Sequence, residues 1–257
     1  MNSVLGIAGS GLNAASDLFG AVATNVANVN TPGFGARQAE TGTGGSILAR
    51  PQNVPFAGQV VVPGFSYDAG AYLAQNVPTF GDGVSTSSVP TNLAINGSGF
   101  FMVTNRQGQT LYTRSGQFSQ DAKGNLVLPN GTKLASPVTL PPGGAYQINA
   151  EGQIFSTAGG VNTPIGQIQV ATFANAQGLV NVGSNLYQAS VASGPAVVQN
   201  PGKNGAGTIQ SGALNDSNVN LTNTYATMIQ AQTMYQMNAK VMTVAQTLNQ
   251  SIDTINA

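Results

Sequence analysis

Apolar residues recur near the C-terminal end in steps mostly of three and four: Leu221, Tyr225, Met228, Met234, Met237, Val241, Val244, Leu248, Ile252 and Ile255. That spacing puts side chains on one face of a helix. No proline or glycine interrupts residues 221–256, and only Lys240 and Asp253 are charged there. At about 1.5 Å of rise per residue, a single helix over this run is roughly 54 Å long, longer than a small domain is wide. Residues 1–29 carry a matching pattern, with Leu5, Ala8, Leu12, Ala15, Phe19, Val22, Val26 and Val29 at heptad spacing and Asp17 the one charge. The two ends therefore predict a helical hairpin from which the rest of the chain hangs. The stripes fit two arrangements, amphipathic helices of one compact domain or helices that both face other copies of the chain. The pattern does not choose between them.

The first helix should stop near Asn28 to Asn30, because Pro32 disfavours helical geometry at Thr31 and Gly33 allows a turn. Residues 35–78 are rich in Gly, Pro, Thr and Val. Pro51, Pro55, Pro63 and Pro78 break up short apolar pieces such as Gln59 to Val62. This reads as an irregular connector with one or two short strands, or as a disordered linker.

From Thr79 to Gly207 the signals turn to β. Leu93 to Val103 reads as strand, Asn96-Gly97 turn, strand. Leu111 to Phe118 alternates, and Asp121 to Asn125 is a turn before Leu126-Val127-Leu128. Further strand candidates are Lys133-Leu134, Gln147-Ile148, Gln153 to Phe155 and Gly166 to Phe173. Short strands between Gly-rich turns argue for an antiparallel β domain. The expected fold class is α+β: long N- and C-terminal helices pairing into a coiled-coil-like core, with a central antiparallel β domain. The expected division is 1–34 for the first helix and its turn, 35–78 for the connector, 79–210 for the β domain and 211–257 for the last helix.

Composition sharpens this picture. Net charge is zero and charged residues make up 6% of the chain, against about 25% in ordinary domains. The chain lacks the basic footprint of a nucleic-acid binder. Its surface must be built from neutral amides and hydroxyls, which are cheaper to bury against a neighbour than ions are. There is no Cys, His or Trp. That excludes disulfides, thiolate chemistry and the commonest general base and metal ligand. No apolar run reaches the roughly 18 residues of a membrane span. No Lys or Arg precedes Arg37, so the N-terminus does not read as a cleaved signal. The protein is then expected to be cytoplasmic or exported without one.

Candidate chemistry is thin. The eight acids, Asp17, Glu40, Asp68, Asp82, Asp121, Glu151, Asp216 and Asp253, are scattered. Asp121 to Asn125 lacks the ligand run of a calcium loop and reads as a turn. Gly42 to Ser46 lacks the Lys of a phosphate loop. Asp216 or Ser217 is the expected N-cap of the last helix. No enzymatic activity, cofactor or metal is expected.

The motifs themselves point further. Gly11-Leu12-Asn13-Ala14-Ala15, followed by Asn25 to Phe34 with its Thr31-Pro32-Gly33-Phe34 turn, resembles the N-terminal signature of the bacterial flagellar rod and hook proteins. Ala94 to Phe101, Tyr112 to Phe118 with Gly124 to Val127, and Gly178-Leu179, Gly183 to Tyr187 and Ser193-Gly194 are similar to that family's β elements. Gly212 to Leu221 and Met228 to Lys240 resemble its approach to, and course along, the last helix. Gly35 and Thr233 stand where the family usually carries a basic residue, and Asn215 where it usually carries an acid. Length and element order are most similar to the distal rod type, with hook and proximal rod types as alternatives. A secreted β-rich adhesin or fibre is the competing class.

The resemblance implies a structural component of the basal-body rod that self-assembles helically into a hollow tube and transmits torque. It implies a homo-oligomeric polymer that meets neighbouring rod and hook proteins and the flagellar export apparatus, with no nucleic acid and no membrane insertion. Location would be the basal body, periplasmic or extracellular after signal-less export. The residues expected to pack the assembled core are Leu5, Leu12, Phe19, Val22, Asn25, Val26, Asn28, Pro32, Gly33, Phe34, Asn218, Val219, Leu221, Met228, Tyr235, Val241, Val244 and Leu248.

Overall fold

The computed structural model describes residues 2–44, 46–50, 65–68, 70–136, 138–141, 146–157 and 161–255. It separates into two units. One is Met1–Val26, Arg37–Asn76 and Leu221–Ala257, and the other is Ala27–Ala36 with Val77–Asn220.

The first unit holds the two helices the pattern predicts, α1 (Asn2–Ala27) and α2 (Leu221–Ile255). Helix α1 ends where expected. Thr31 N–H donates to Asn28 O at 3.0 Å and Phe34 N–H to Thr31 O at 3.1 Å, forming a turn ahead of Gly33. The N-cap expectation fails. Helix α2 begins after Asn220, too far on for Asp216 or Ser217 to cap it. The Ser217 hydroxyl instead accepts from Val219 N–H at 3.4 Å, a local hydroxyl turn.

The stretch expected to be irregular is largely strand where it is described. Strand β1 (Ala36–Thr43) pairs with β4 (Ala71–Thr79), and β2 (Ser46–Arg50) pairs antiparallel with β3 (Phe65–Asp68). Gln59 to Val62, Pro51, Pro55 and Pro63 lie outside the described residues. Pro78 sits near the end of β4, where a missing ladder donor is tolerated. The start of β4 is fastened to α1 through Ser10, whose Oγ accepts from Ala71 N–H at 3.2 Å and donates to Ile7 O at 2.8 Å.

In the second unit every strand pairing is antiparallel. Among the described residues its main sheet has nine strands. Six of them flank β7 (Phe100–Thr104) in the order β16 (Val180–Gly183), β17 (Leu186–Gln188), β8 (Thr110–Thr113), β7, β11 (Lys133–Leu134), β10 (Leu126–Val127), β9 (Ser119–Gln120). Strand β7 forks. Phe100 and Phe101 face Ala171 and Val170 of β15 (Val170–Thr172), whereas Val103 and Thr104 face Leu134 and Lys133. Strand β18 (Val197–Gln199) pairs with β15 beyond that fork. A three-stranded sheet joins β12 (Tyr146–Ile148), β13 (Gln153–Ser156) and β14 (Thr163–Gln167). Two ladders complete the unit: β6 (Leu93–Asn96) with β19 (Thr208–Ser211), and β5 (Val84–Thr86) with β20 (Ala213–Asn215).

The predicted turn at Asp121 to Asn125 is present, and it links β10 to a strand that the pattern does not predict, β9. The hairpin predicted at Asn96-Gly97 is not present. The hydrogen-bonding row of β6 is taken by β19, with Ile209 opposite Ile95. Gly97 and Gly99, at φ +103° and +142°, carry the chain away to the other sheet. The run Gly166 to Phe173 also splits, into the end of β14 and all of β15, in different sheets.

Both faces of β7 are covered, which is why its sequence is an unbroken apolar run rather than an alternation. On one side Phe101 and Val103 enter a cluster with Leu93, Ile95, Phe118, Leu126, Leu140, Ile154, Ile168 and Ile209. On the other, Phe100 meets Leu179 and Tyr187, with Phe80, Tyr112 and Phe173 around them. These rings pack edge to face, with Phe80–Phe100 centroids 4.8 Å apart and Tyr112–Phe173 also 4.8 Å.

Candidate assembly surface

Helix α2 is arranged in reverse of an ordinary core helix. Its buried residues are small: Thr224, Ala231 at 0% exposure and Ala245 at 4%. Most of its large apolar side chains point outward. Ile229 and Met237 are each 63% exposed. Leu221, Tyr225, Tyr235, Val241, Val244, Leu248, Ile252 and Ile255 are exposed as well, and Met228 is half-buried. So Leu221, Tyr235, Val241, Val244 and Leu248, expected as packing residues, are exposed rather than buried. Val4, Val241, Val244, Ala245 and Leu248 line an open apolar groove of about 290 Å³ beside Lys240. The polar positions are neutral apart from Lys240 and Asp253. The hydroxyls of Thr227, Thr233, Thr243, Thr247 and Ser251 each bond back to the carbonyl four residues earlier, a habit that weakens a helix slightly.

Helix α1 buries a stripe turned by one residue from the predicted one. Ala8, Gly11, Ala15, Leu18, Val22 and Asn25 are buried, flanked by Ala14 and Ala21. Leu5, Leu12, Phe19 and Val26 are only half-buried. The reason is residue size at the close approach of α2. An added Cβ at Gly11 would lie 2.5 Å from Asn238 Oδ1. That Asn238 amide donates to Met234 O at 2.8 Å. Heptad counting favours the bulkier Leu12 and misses this contact. A glycine inside a helix, where it costs about 1 kcal/mol relative to alanine, was the available signal.

The residues singled out near the ends of the helices form a set of amide staples. In the first unit, Asn25 is buried and pairs with both backbone groups of Arg37, Nδ2 to Arg37 O at 2.9 Å and Arg37 N–H to Oδ1 at 2.7 Å. In the second, Asn28 accepts from the Thr31 hydroxyl at 3.1 Å. Pro32 O accepts from Asn185 Nδ2 at 3.1 Å. Gly33 has φ +66°, and a Cβ there would collide with the Arg114 backbone. Its N–H donates to Asn215 O at 2.7 Å, and Phe34 beside it is buried. Asn218 Oδ1 accepts from Ala36 N–H at 2.7 Å, and its Nδ2 donates to Thr79 O at 2.9 Å. Val219 is half-buried. Together the bonds of the second unit fix the segment leaving α1 beside the segment leading to α2. An amide fits this task because it both donates and accepts, so it can replace a strand's two-way backbone pairing.

Two further residues serve the staples without having been predicted for it. Asn215 is 1% exposed, and its side chain closes both backbone groups of Ile95, Ile95 N–H to Oδ1 at 2.9 Å and Nδ2 to Ile95 O at 2.8 Å. A carboxylate at this point could not make the second bond. Arg114 is buried with its guanidinium donating to Gly99 O at 3.1 Å, Gly81 O at 2.8 Å, Gly97 O and Asp82 Oδ1 at 3.2 Å. Burial pushes its pKa down and Asp82 opposes that shift. The only other ion pair among the described residues joins Lys133 to Asp121 at 3.6 Å. Among those residues no group of acids could hold a metal, and no helix is long and apolar enough to cross a membrane.

Two family models match parts of the chain. A family model described as the flagellar hook protein FlgE/F/G D1 domain matches residues 94–156. One described as the flagellar basal body rod FlgEFG protein C-terminal matches residues 210–255. The chain is 34% identical to the flagellar basal-body rod protein FlgG of Agrobacterium fabrum, over 94% of each. It is 32% identical to the FlgG of Buchnera aphidicola, over 99% of this chain and 100% of that one. The flagellar hook protein FlgE of Escherichia coli is 40% identical, but over 41% of this chain and 27% of its own length. Likeness to the hook protein is thus confined to a part, whereas likeness to the rod protein runs from end to end. The chain belongs to the FlgG family of flagellar basal-body rod proteins.

Proposed function

We propose that copies of this chain assemble helically into the hollow rod of the flagellar basal body and transmit torque along it. The terminal segments 1–34 and 211–257 make the inner, coiled-coil-like core in this reading. Residues 35–78 connect that core to the β region 79–210, which lies outside. Neighbouring rod and hook proteins continue the axis, and the flagellar export apparatus delivers the chain.

One observation carries the reading. Helix α2 keeps alanines inside and turns Ile229, Met237, Val244 and Leu248 out, among other large apolar side chains. A contiguous apolar stripe of this length is a surface made to be covered. Leu12 and Phe19 on α1, half-buried in one chain, would close under the same neighbours. The low charge supports the reading too, because copies with zero net charge pack without mutual repulsion.

Electron microscopy of the concentrated chain, with circular dichroism of the dilute monomer, tests it. Tubes should form and helicity should rise on assembly, because a long helix with a bare apolar stripe is marginal in water. A compact, fully helical monomer at every concentration would overturn the proposal.

A further inference from the structure

Among the described residues the nine-stranded sheet has three free edges, β9, β16 and β18. They are built differently. Strand β9 runs straight into Asp121 and Lys123, and its Gln120 Nε2 donates to Leu140 O at 3.0 Å and Pro141 O at 3.4 Å. A short edge with charges beside it and a loop over it is protected against pairing with another strand. Strands β16 and β18 have no charged residue beside them. Val180 and Val182 are exposed on β16, and Val197 and Val198 on β18. All four lie within residues 152–202, which contain no Asp, Glu, Lys or Arg.

A bare edge presents a row of N–H and C=O groups that another strand satisfies best. The absence of charge leaves nothing for an acidic or basic partner to recognise. A copy of this chain brings the complement with it, because each copy offers one uncharged valine edge at β16 and a second at β18. Two different edges joined head to tail repeat indefinitely, and where the rotation does not close they generate an open helix. The register shift between Asn181 and Gly183 bends β16. That bend limits pairing to a few residues and opposes flat, fibre-like stacking.

We infer that the β16 edge of one copy docks against the β18 edge of the next, as a lateral contact between β units. The inference rests on the self-assembly proposed above and adds a specific surface to it. The absence of cysteine makes it directly testable. Full-length Val182→Cys and Val198→Cys chains are mixed, concentrated and oxidised mildly. A disulfide forms only where the Cα atoms come within about 7 Å. The mixture should give roughly tenfold or more cross-linked dimer than Val182→Cys mixed with Ser119→Cys on β9, since docking raises the effective thiol concentration greatly. Tubes without that excess would overturn the edge contact and leave the proposed function intact. If no tubes form at all, the proposed function falls. The cross-link yield in the concentrated solution then still decides the edge contact, an excess supporting it and its absence overturning it. Equal dimer from Val182→Cys alone would overturn the head-to-tail arrangement.

Discussion

The β unit and helix α2 solve opposite problems. In the β unit the largest side chains are the most buried, with Phe101, Phe118 and Tyr187 almost fully enclosed. In α2 the buried residues are alanines and a threonine, and most of the large apolar side chains are exposed. The first pattern belongs to a structure complete in one chain, the second to one completed by others. Their contrast says that folding and assembly are carried by separate parts of the sequence, so each should be breakable alone.

The largest effect should come from removing residues 221–257. Assembly should be abolished, as seen by sedimentation or microscopy, while the strand signal of the β unit persists in circular dichroism. A truncated chain that still forms tubes would end the separation.

Matched substitutions sharpen it. Phe101 is fully buried and packs edge to face on Phe118 with centroids 5.4 Å apart. Phe101→Ala should cost about 3–5 kcal/mol in chemical denaturation. Ile229→Ala on the exposed stripe should change monomer stability by less than about 0.5 kcal/mol, yet raise the concentration needed for assembly.

Next in size is Gly33→Ala. The left-handed backbone at φ +66° and the collision with the Arg114 backbone should together cost about 2–3 kcal/mol. Thermal melting of the monomer would register it. Asn215→Asp removes the donor to Ile95 O and should cost about 1–3 kcal/mol near neutral pH. Part of that loss should be recovered as pH falls, because a protonated carboxyl can donate again. A loss independent of pH would mean that the amide fills space rather than bonds.

The smallest effect concerns Asp121, which accepts from Asn125 Nδ2, Asn125 N–H and Lys123 N–H, each at 2.8 Å. The Asn125 side chain, above all, holds its carboxyl below the ordinary carboxylate range. A folded-state pKa below the unfolded one means that this turn adds stability above that range and loses it as pH falls through it. Asp121→Asn should flatten the acid limb of the stability profile slightly and leave assembly unchanged.

Much of this was readable in the residues. The steps of three and four through Leu221 to Ile255, with no proline or glycine, are enough to specify α2, because helix period is a local property. Pro32 and Gly33 fix the end of α1 for equally local reasons. The Asp121 to Asn125 turn and the strand after it also follow from neighbours in sequence. What only the tertiary structure decided depends on distant partners. Asn96-Gly97 looks like a hairpin turn until β19, far along the chain, claims β6. The buried side of α1 is set by how closely Gly11 lets Asn238 approach, which heptad spacing does not encode. The side of α2 that faces inward is likewise the alanine side, although hydrophobic periodicity marks the other. Periodicity records which face avoids water. It does not say whether the same chain or another copy provides the cover.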